Sequence, residues 1–251
     1  MLAQGFAPKY NGQCRSLAAA EVKNNLQLKK ASVIRFRIPE TKIDYTDIIR
    51  GNVSFDGALI GDIVIAKDLR SPLYNFAAVV DDQEMAISHV IRGEEHLANT
   101  PRQIFIQEAL EFPRVKYAHL PLILNPDRSK MSKRFSATAL NDYKEQGYLP
   151  EALLNFMAFL GWHPKDDREL LSREDLIKEF DLERVQKAGA AFNIEKLNWL
   201  NAQYIKKMVP KELAKALGVP PTDDNFKIIE FTRERMKKLT DFKSLAGFFY
   251  E

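Results

Sequence analysis

The chain has 251 residues, 45% apolar and 28% charged, ordinary proportions for a globular protein with room for about two or three domains and a sizeable core. Its 37 basic and 34 acidic side chains leave a net charge of +3, too slight to decide for or against nucleic acid; the excess sits between Lys206 and Glu251, where ten basic residues face seven acidic ones. A single cysteine, Cys14, excludes an internal disulfide and a cysteine-cluster zinc site, and the histidines at 89, 96, 119 and 163 lack metal-ligand spacing, so no zinc is expected.

In chain order, "VIRFRIP" at 33–39 alternates apolar and basic residues as a half-exposed strand should. "NVSFDGALIGDIVIAKD" at 52–68 reads as two strands joined at a hairpin-favouring Asp56-Gly57 pair. "NFAAVVDD" at 75–82 and "ISHVIRG" at 87–93 are apolar enough for buried strands. "TPRQIFIQEAL" at 100–110 reads as a helix, with Thr100 at the N-cap, Pro101 at the first helical position and Gln103 three residues after the cap. "YAHLPLIL" at 117–124 is a further apolar strand, so that strand, helix and strand form part of an open α/β sheet whose strand-end loops carry the site.

The turn "NPDRS" at 125–129 leads into "RSKMSKRF" at 128–135, four cations around two serines and a methionine. Such a loop at the end of a buried strand is suited to a phosphate chain. Beyond it the pattern is helical. "PEALLNFMAFLG" at 150–161 starts on proline and stops at glycine; Ser172 caps "REDLIKEF"; Ile194, Leu197, Leu200, Tyr204 and Met208 form a helical stripe; Pro210 closes that unit; and 226–239 is a further amphipathic helix. No apolar stretch is long enough to span a membrane, and the first residues lack the pattern of a secretory signal. A cytoplasmic location, or an organelle matrix, is expected, with no membrane partner.

The ordered set "VVDD…HVIRGEEHLANTPRQIFIQEAL…HLPLILNPDRSKMSKR…GYLPEALLNFMAFLGW…FNIEKLNWLNAQYI" resembles the glutamyl-tRNA synthetases of bacteria and organelles, class I aminoacyl-tRNA synthetases, from about Pro8 to Glu251. The resemblance implies a ligase that activates L-glutamate with ATP, accompanied by Mg2+, to glutamyl-AMP and transfers it to the 3′ end of tRNA(Glu). It also implies the site. Lys133, with Lys130 beside it, would serve as the catalytic cations at the phosphates, within an ATP-binding loop that includes Met131, Ser132 and Arg134; compact ammonium groups on flexible stems suit a leaving group that gathers charge. Leu122 and Ile123 match positions whose backbone borders the adenine, and Glu95 one near ATP and the terminal adenosine of tRNA. Arg92, at a strand end beside Gly93, matches the arginine that contacts the glutamate side chain. An arginine fork binds a carboxylate through two parallel charge-assisted bonds; a structural ion pair of Arg92 with Glu94 or Glu95 is the competing reading. Tyr74 matches a tyrosine that also touches the amino acid, against the alternative of a core aromatic.

Two departures stand out. "KDLRSP" puts Leu69 and Arg70 where the family has small turn residues, and no histidine has another three residues on, so the His-Ile-Gly-His-type motif of class I enzymes is missing. The chain is therefore expected to be an internal portion of a longer protein, monomeric at full length, and inactive in adenylate formation by itself. The expected architecture is α/β: an acceptor-binding insertion at 1–73, the second half of a Rossmann-like nucleotide-binding fold at 74–127, a basic-loop and stem-contact region at 128–209, and the start of a helical anticodon-binding domain at 210–251. Two rivals remain: a non-catalytic tRNA-binding module descended from a synthetase, and an enzyme that glutamylates queuosine in tRNA, against which the helices after residue 193 speak.

Overall fold

A computed structural model describes residues 10–131 and 139–250, and the chain divides into two compact units, Met1–Leu120 and Pro121–Glu251. Among the described residues no helix is long and apolar enough to cross a membrane.

The first unit opens with α1 (Ala19–Gln27) and β1 (Ile34–Phe36), followed by β2 (Lys42–Asp47), β3 (Gly51–Asp56), α2 (Gly57–Ile60) and β4 (Ile63–Ala66). Then come α3 (Tyr74–Glu84), β5 (His89–Gly93), a 3-10 segment at Glu94–Asn99, α4 (Thr100–Ala109) and β6 (Lys116–Leu120). Four strands form one sheet in the order β3-β2-β6-β5, while β1 and β4 make a separate antiparallel pair. β2 and β3 are antiparallel; β6 runs parallel to both β2 and β5. The C-terminal ends of β2, β5 and β6 therefore lie at one edge of the sheet, where open α/β sheets bind ligands. Ile38, Ile43, Ile104, Phe105 and Tyr117 close the core beneath them.

Three expectations for this unit need correction. The hairpin turn is not at Asp56-Gly57 but at residues 48–50, with Asp47 opposite Gly51 at a φ of 80°. A three-residue loop ending in a left-handed glycine matches the twist of the two strands. Asp56 instead caps α2, accepting from the Ala58 amide at 2.9 Å. Gly57 is there for close approach: a Cβ would stand 2.1 Å from the Pro39 carbonyl oxygen.

Residues 75–82 are helix, not strand. A short apolar run does not distinguish the two by periodicity, and here Ala77 and Ala78 with the polar continuation through Glu84 extend a helix whose Val79 is its buried residue. The helix ends as a Schellman motif, with Ala86 left-handed at φ 52° and the Ile87 amide donating to the Asp82 carbonyl at 2.8 Å. Finally, "YAHLPLIL" is not one strand but two, broken at Pro121: β6 shares the sheet of β5, as the strand, helix and strand order requires, while Ile123–Leu124 pairs in a separate sheet.

The second unit contains β7 (Ile123–Leu124), α5 (Leu140–Glu145), α6 (Pro150–Phe159), α7 (Arg173–Glu179), β8 (Ala190–Ala191), α8 (Ile194–Lys207), α9 (Pro210–Leu217), α10 (Asp223–Arg233) and α11 (Asp241–Ala246). The N-termini follow their sequence signals: Pro150 opens α6, and Ser172 with Asp175 forms a capping box on α7. Pro210 opens α9 rather than closing a unit. Leu149, Ala152, Ile205, Leu213, Ile229, Met236 and Phe242 share one core, so α9–α11 pack with α6 and α8. The buried face of α8 is Leu197, Leu200, Asn201 and Ile205, and Ile194 stays exposed. Asn201 is satisfied inside that core, accepting from the Leu149 amide at 2.8 Å and donating to the Lys237 carbonyl at 2.7 Å.

Candidate functional site

Parallel pairing of β5 and β6 sets Arg92 directly opposite His119. β2 joins β6 at Asp47 and Tyr117, which brings Asp47 beside the same histidine. From the other side α4 supplies Thr100 and Gln103, one turn apart and both buried. The first residue of α3, Tyr74, completes the group and is 52% exposed, so it is not a core aromatic.

The half-buried Arg92 guanidinium makes four hydrogen bonds. Its Nε donates to His119 Nε2 at 3.2 Å, its Nη2 to Thr100 Oγ1 at 2.9 Å and to Gln103 Oε1 at 2.8 Å, and its Nη1 to the Tyr74 hydroxyl at 3.4 Å. Among the described residues, none of these partners is a carboxylate. Among the described residues no ion pair joins Arg92 to Glu94 or Glu95: Glu94 pairs with Arg50, and Glu95 is exposed with its carboxylate lying over Gly93, where a Cβ would come within 2.1 Å of its Oε2. Asp82 on α3 feels the charge of Arg92 through space; burial pushes its carboxyl above the usual range and Arg92 offsets only part of that.

This geometry refines the expected two-pronged fork. Nε and Nη2 are taken up by the protein, and the edge left for a ligand is Nη1, next to the Tyr74 hydroxyl. A tyrosine that accepts from Arg92 keeps its own proton to donate. One carboxylate can thus meet two donors, one from each side chain.

Behind Arg92, His119 Nδ1 lies 2.6 Å from Asp47 Oδ2, with both side chains fully buried. Burial pushes the Asp47 carboxyl upward, but the bonds from His119 and from the backbone amides of Arg50, His119 and Ile49 outweigh it and hold Asp47 below the usual range. Burial raises the Tyr45 and Tyr117 phenols to about 12, so both stay neutral.

Leu122, Ile123, Lys130 and Met131, expected to border a nucleotide, belong to the second unit. Leu122 is half-buried, and Ile123, 43% exposed, pairs with Ala190 across β7 and β8. The Ile123 carbonyl accepts from the Met131 amide at 3.1 Å, and Leu124 bridges Lys130, whose side chain is exposed. The turn between them is fastened by Asp127, which accepts from the Ser129 amide at 2.9 Å and hydroxyl at 2.6 Å. Ser132, Lys133 and Arg134 lie outside the described residues.

Nothing in the sequence marked Asp47, Thr100, Gln103 or His119 as site residues. Thr100 and Gln103 read as a helix cap, yet the Thr100 hydroxyl faces Arg92 and His119, and the helix makes no side-chain cap bond at Asn99. The one available signal for His119 was its place on a strand parallel to that of Arg92.

The family described as tRNA synthetases class I (E and Q), catalytic domain, matches residues 2–199. The chain is 43% identical to a glutamate–tRNA ligase of Carboxydothermus hydrogenoformans, across 100% of this chain and 55% of that protein. It is 52% identical to the glutamate–tRNA ligase of Heliobacterium modesticaldum, across 86% of this chain and 44% of that one. Its fold matches the crystal structure of a glutamate tRNA ligase from Elizabethkingia meningosepticum CCUG26117 in complex with its amino acid, with a TM-score of 0.88 at 38% identity, covering 99% of this chain and 56% of that chain. The chain spans about half the length of the curated relatives it matches. By sequence and by fold it belongs to the class I tRNA synthetases for glutamate and glutamine, and residues 2–199 lie in their catalytic domain.

Proposed function

We propose that this chain supplies the amino acid site and part of the nucleotide site of a glutamate–tRNA ligase. The observation that carries the reading is the charge of Arg92, held by four acceptors none of which is a carboxylate, with Nη1 facing outward beside Tyr74. A half-buried cation without a bonded carboxylate calls for an anionic ligand, and the γ-carboxylate of L-glutamate fits two convergent donors.

In the reaction, an α-carboxylate oxygen of glutamate attacks the α-phosphorus of Mg–ATP, and the bond to the pyrophosphate oxygen breaks with its electron pair. The terminal ribose hydroxyl of tRNA(Glu) then attacks the acyl carbon, and AMP leaves. Arg92 and Tyr74 hold the side-chain carboxylate through both steps. Lys130 and Lys133, with Met131, Ser132 and Arg134, are assigned to the phosphates; Leu122 and Ile123 to the adenine; Glu95 to the nucleotide and the tRNA end. Residues 1–73 are assigned to the acceptor end of the tRNA, 74–127 to the nucleotide-binding fold, 128–209 to the stem and 210–251 to the start of the anticodon-binding helices. The full-length ligase is assigned to the cytoplasm as a monomer.

Arg92→Lys keeps the charge and loses the planar anchoring to His119, Thr100 and Gln103. In steady-state ATP–pyrophosphate exchange by the full-length gene product, the KM for glutamate should rise about tenfold to a hundredfold, the equivalent of one misaligned charge-assisted bond, with the KM for ATP within about twofold. Equal changes in both constants would contradict the assignment.

A further inference from the structure

A guanidinium only donates. His119 Nε2, 3.2 Å from Arg92 Nε and 3.0 Å from Thr100 Oγ1, must therefore offer a lone pair. The ring is then neutral with its proton on Nδ1, aimed at Asp47 Oδ2. The other oxygen, Oδ1, accepts from the backbone amides of Ile49 at 3.0 Å, Arg50 at 2.8 Å and His119 at 3.3 Å. Asp47 is thereby fixed by the hairpin loop it helps to build, and its Oδ2 has one direction in which to point.

We infer that Asp47 and His119 are positioning residues for amino acid selection: Asp47 fixes the His119 tautomer, and His119 in turn orients the Arg92 guanidinium so that Nη1 is the edge presented to the ligand carboxylate. The inference rests on the reading of Arg92 as the receptor for that carboxylate. Neither Asp47 nor His119 touches the ligand, since both are fully buried behind the guanidinium.

Asp47→Asn separates this role from simple packing because the side chains are isosteric. The asparagine must keep its oxygen on the three backbone N–H groups, which an NH2 cannot satisfy. Its NH2 then faces His119 Nδ1, which has to become the acceptor, and the ring proton moves to Nε2. There it meets the Nε–H of Arg92, two donors face each other, and the guanidinium turns away.

The test is 15N NMR of the histidine and arginine side chains, with L-glutamate and ATP dependence measured on the same proteins. In the wild type His119 should carry its proton on Nδ1, and the Arg92 Nε–H should exchange slowly. In Asp47→Asn the proton should move to Nε2, the protected Arg92 signal should disappear, and the glutamate dependence should weaken by about tenfold or more, with ATP within about twofold. A wild-type proton on Nε2 would overturn the inference, and that measurement stands even if the variant does not fold. So would a folded Asp47→Asn protein with unchanged glutamate dependence while Arg92→Lys weakens it. If instead the tautomer and the Arg92 protection behave as stated but Arg92→Lys leaves glutamate unaffected, the positioning pair stands and the assignment of the ligand falls.

Discussion

Asp47 serves two structures with one carboxylate: it closes the loop at 48–50 through two amides and holds His119 through its second oxygen. Its pKa in the folded chain lies below its unfolded value. The ionised form therefore contributes stability that is fully present above the unfolded value, about 3.9, and is lost as pH falls through the folded one. Asp47→Asn should lower the urea-unfolding free energy at pH 7 by about 1–3 kcal/mol, and the gap to the wild type should narrow once the pH is below about 4. A gap of constant size from pH 7 to pH 3 would mean that the carboxylate charge is not what the fold uses. At this scale the sequence singled out Arg92 and Tyr74 from contiguous motifs, and the structure brings their side chains to 3.4 Å. The sequence was silent on Asp47 and His119, because the bond between them spans 72 positions and exists only once β2 and β6 pair. Thr100 was misassigned because a threonine before a proline looks the same whether its hydroxyl caps a helix or faces inward.

At the scale of elements, the glycines at 57 and 93 are both places where a Cβ would collide, with opposite consequences. At Gly57 the obstacles are backbone: the Pro39 carbonyl at 2.1 Å and the Thr41 carbonyl at 2.8 Å. At Gly93 they are the end of the flexible Glu95 side chain. Gly57→Ala should therefore lower thermal stability by the equivalent of about 1–3 kcal/mol, whereas Gly93→Ala should cost under about 1 kcal/mol and displace only Glu95. Equal losses in thermal unfolding of the two variants would show that Glu95 is not free to move. The same residues explain what was legible here. Proline and cap residues located α6 and α7 closely, because those signals are local, and the apolar stripe from Ile194 located α8. The run at 75–82 was misjudged because its apolar pattern suits a buried strand or helix equally, and the choice was made by packing of α3 against α4 and β4. The Asp56-Gly57 pair misled for a related reason: its glycine answers to a neighbouring backbone, not to a turn.

At the scale of the whole molecule, the family places the chain among enzymes for two amino acids that differ by a carboxylate against a carboxamide. We propose that the charge of Arg92 makes that choice. A neutral carboxamide offers Nη1 one uncharged acceptor and sets an NH2 toward a cationic donor, so discrimination should come from both the lost attraction and the added conflict. The most direct measurement is the ratio of kcat/KM for L-glutamate to that for L-glutamine in ATP–pyrophosphate exchange by the full-length gene product, before and after Arg92→Gln. The wild-type ratio should lie well above about a hundred, the equivalent of about 3 kcal/mol, and fall toward unity in the variant. A ratio near unity in the wild type, or one that Arg92→Gln leaves unchanged, would contradict the proposal.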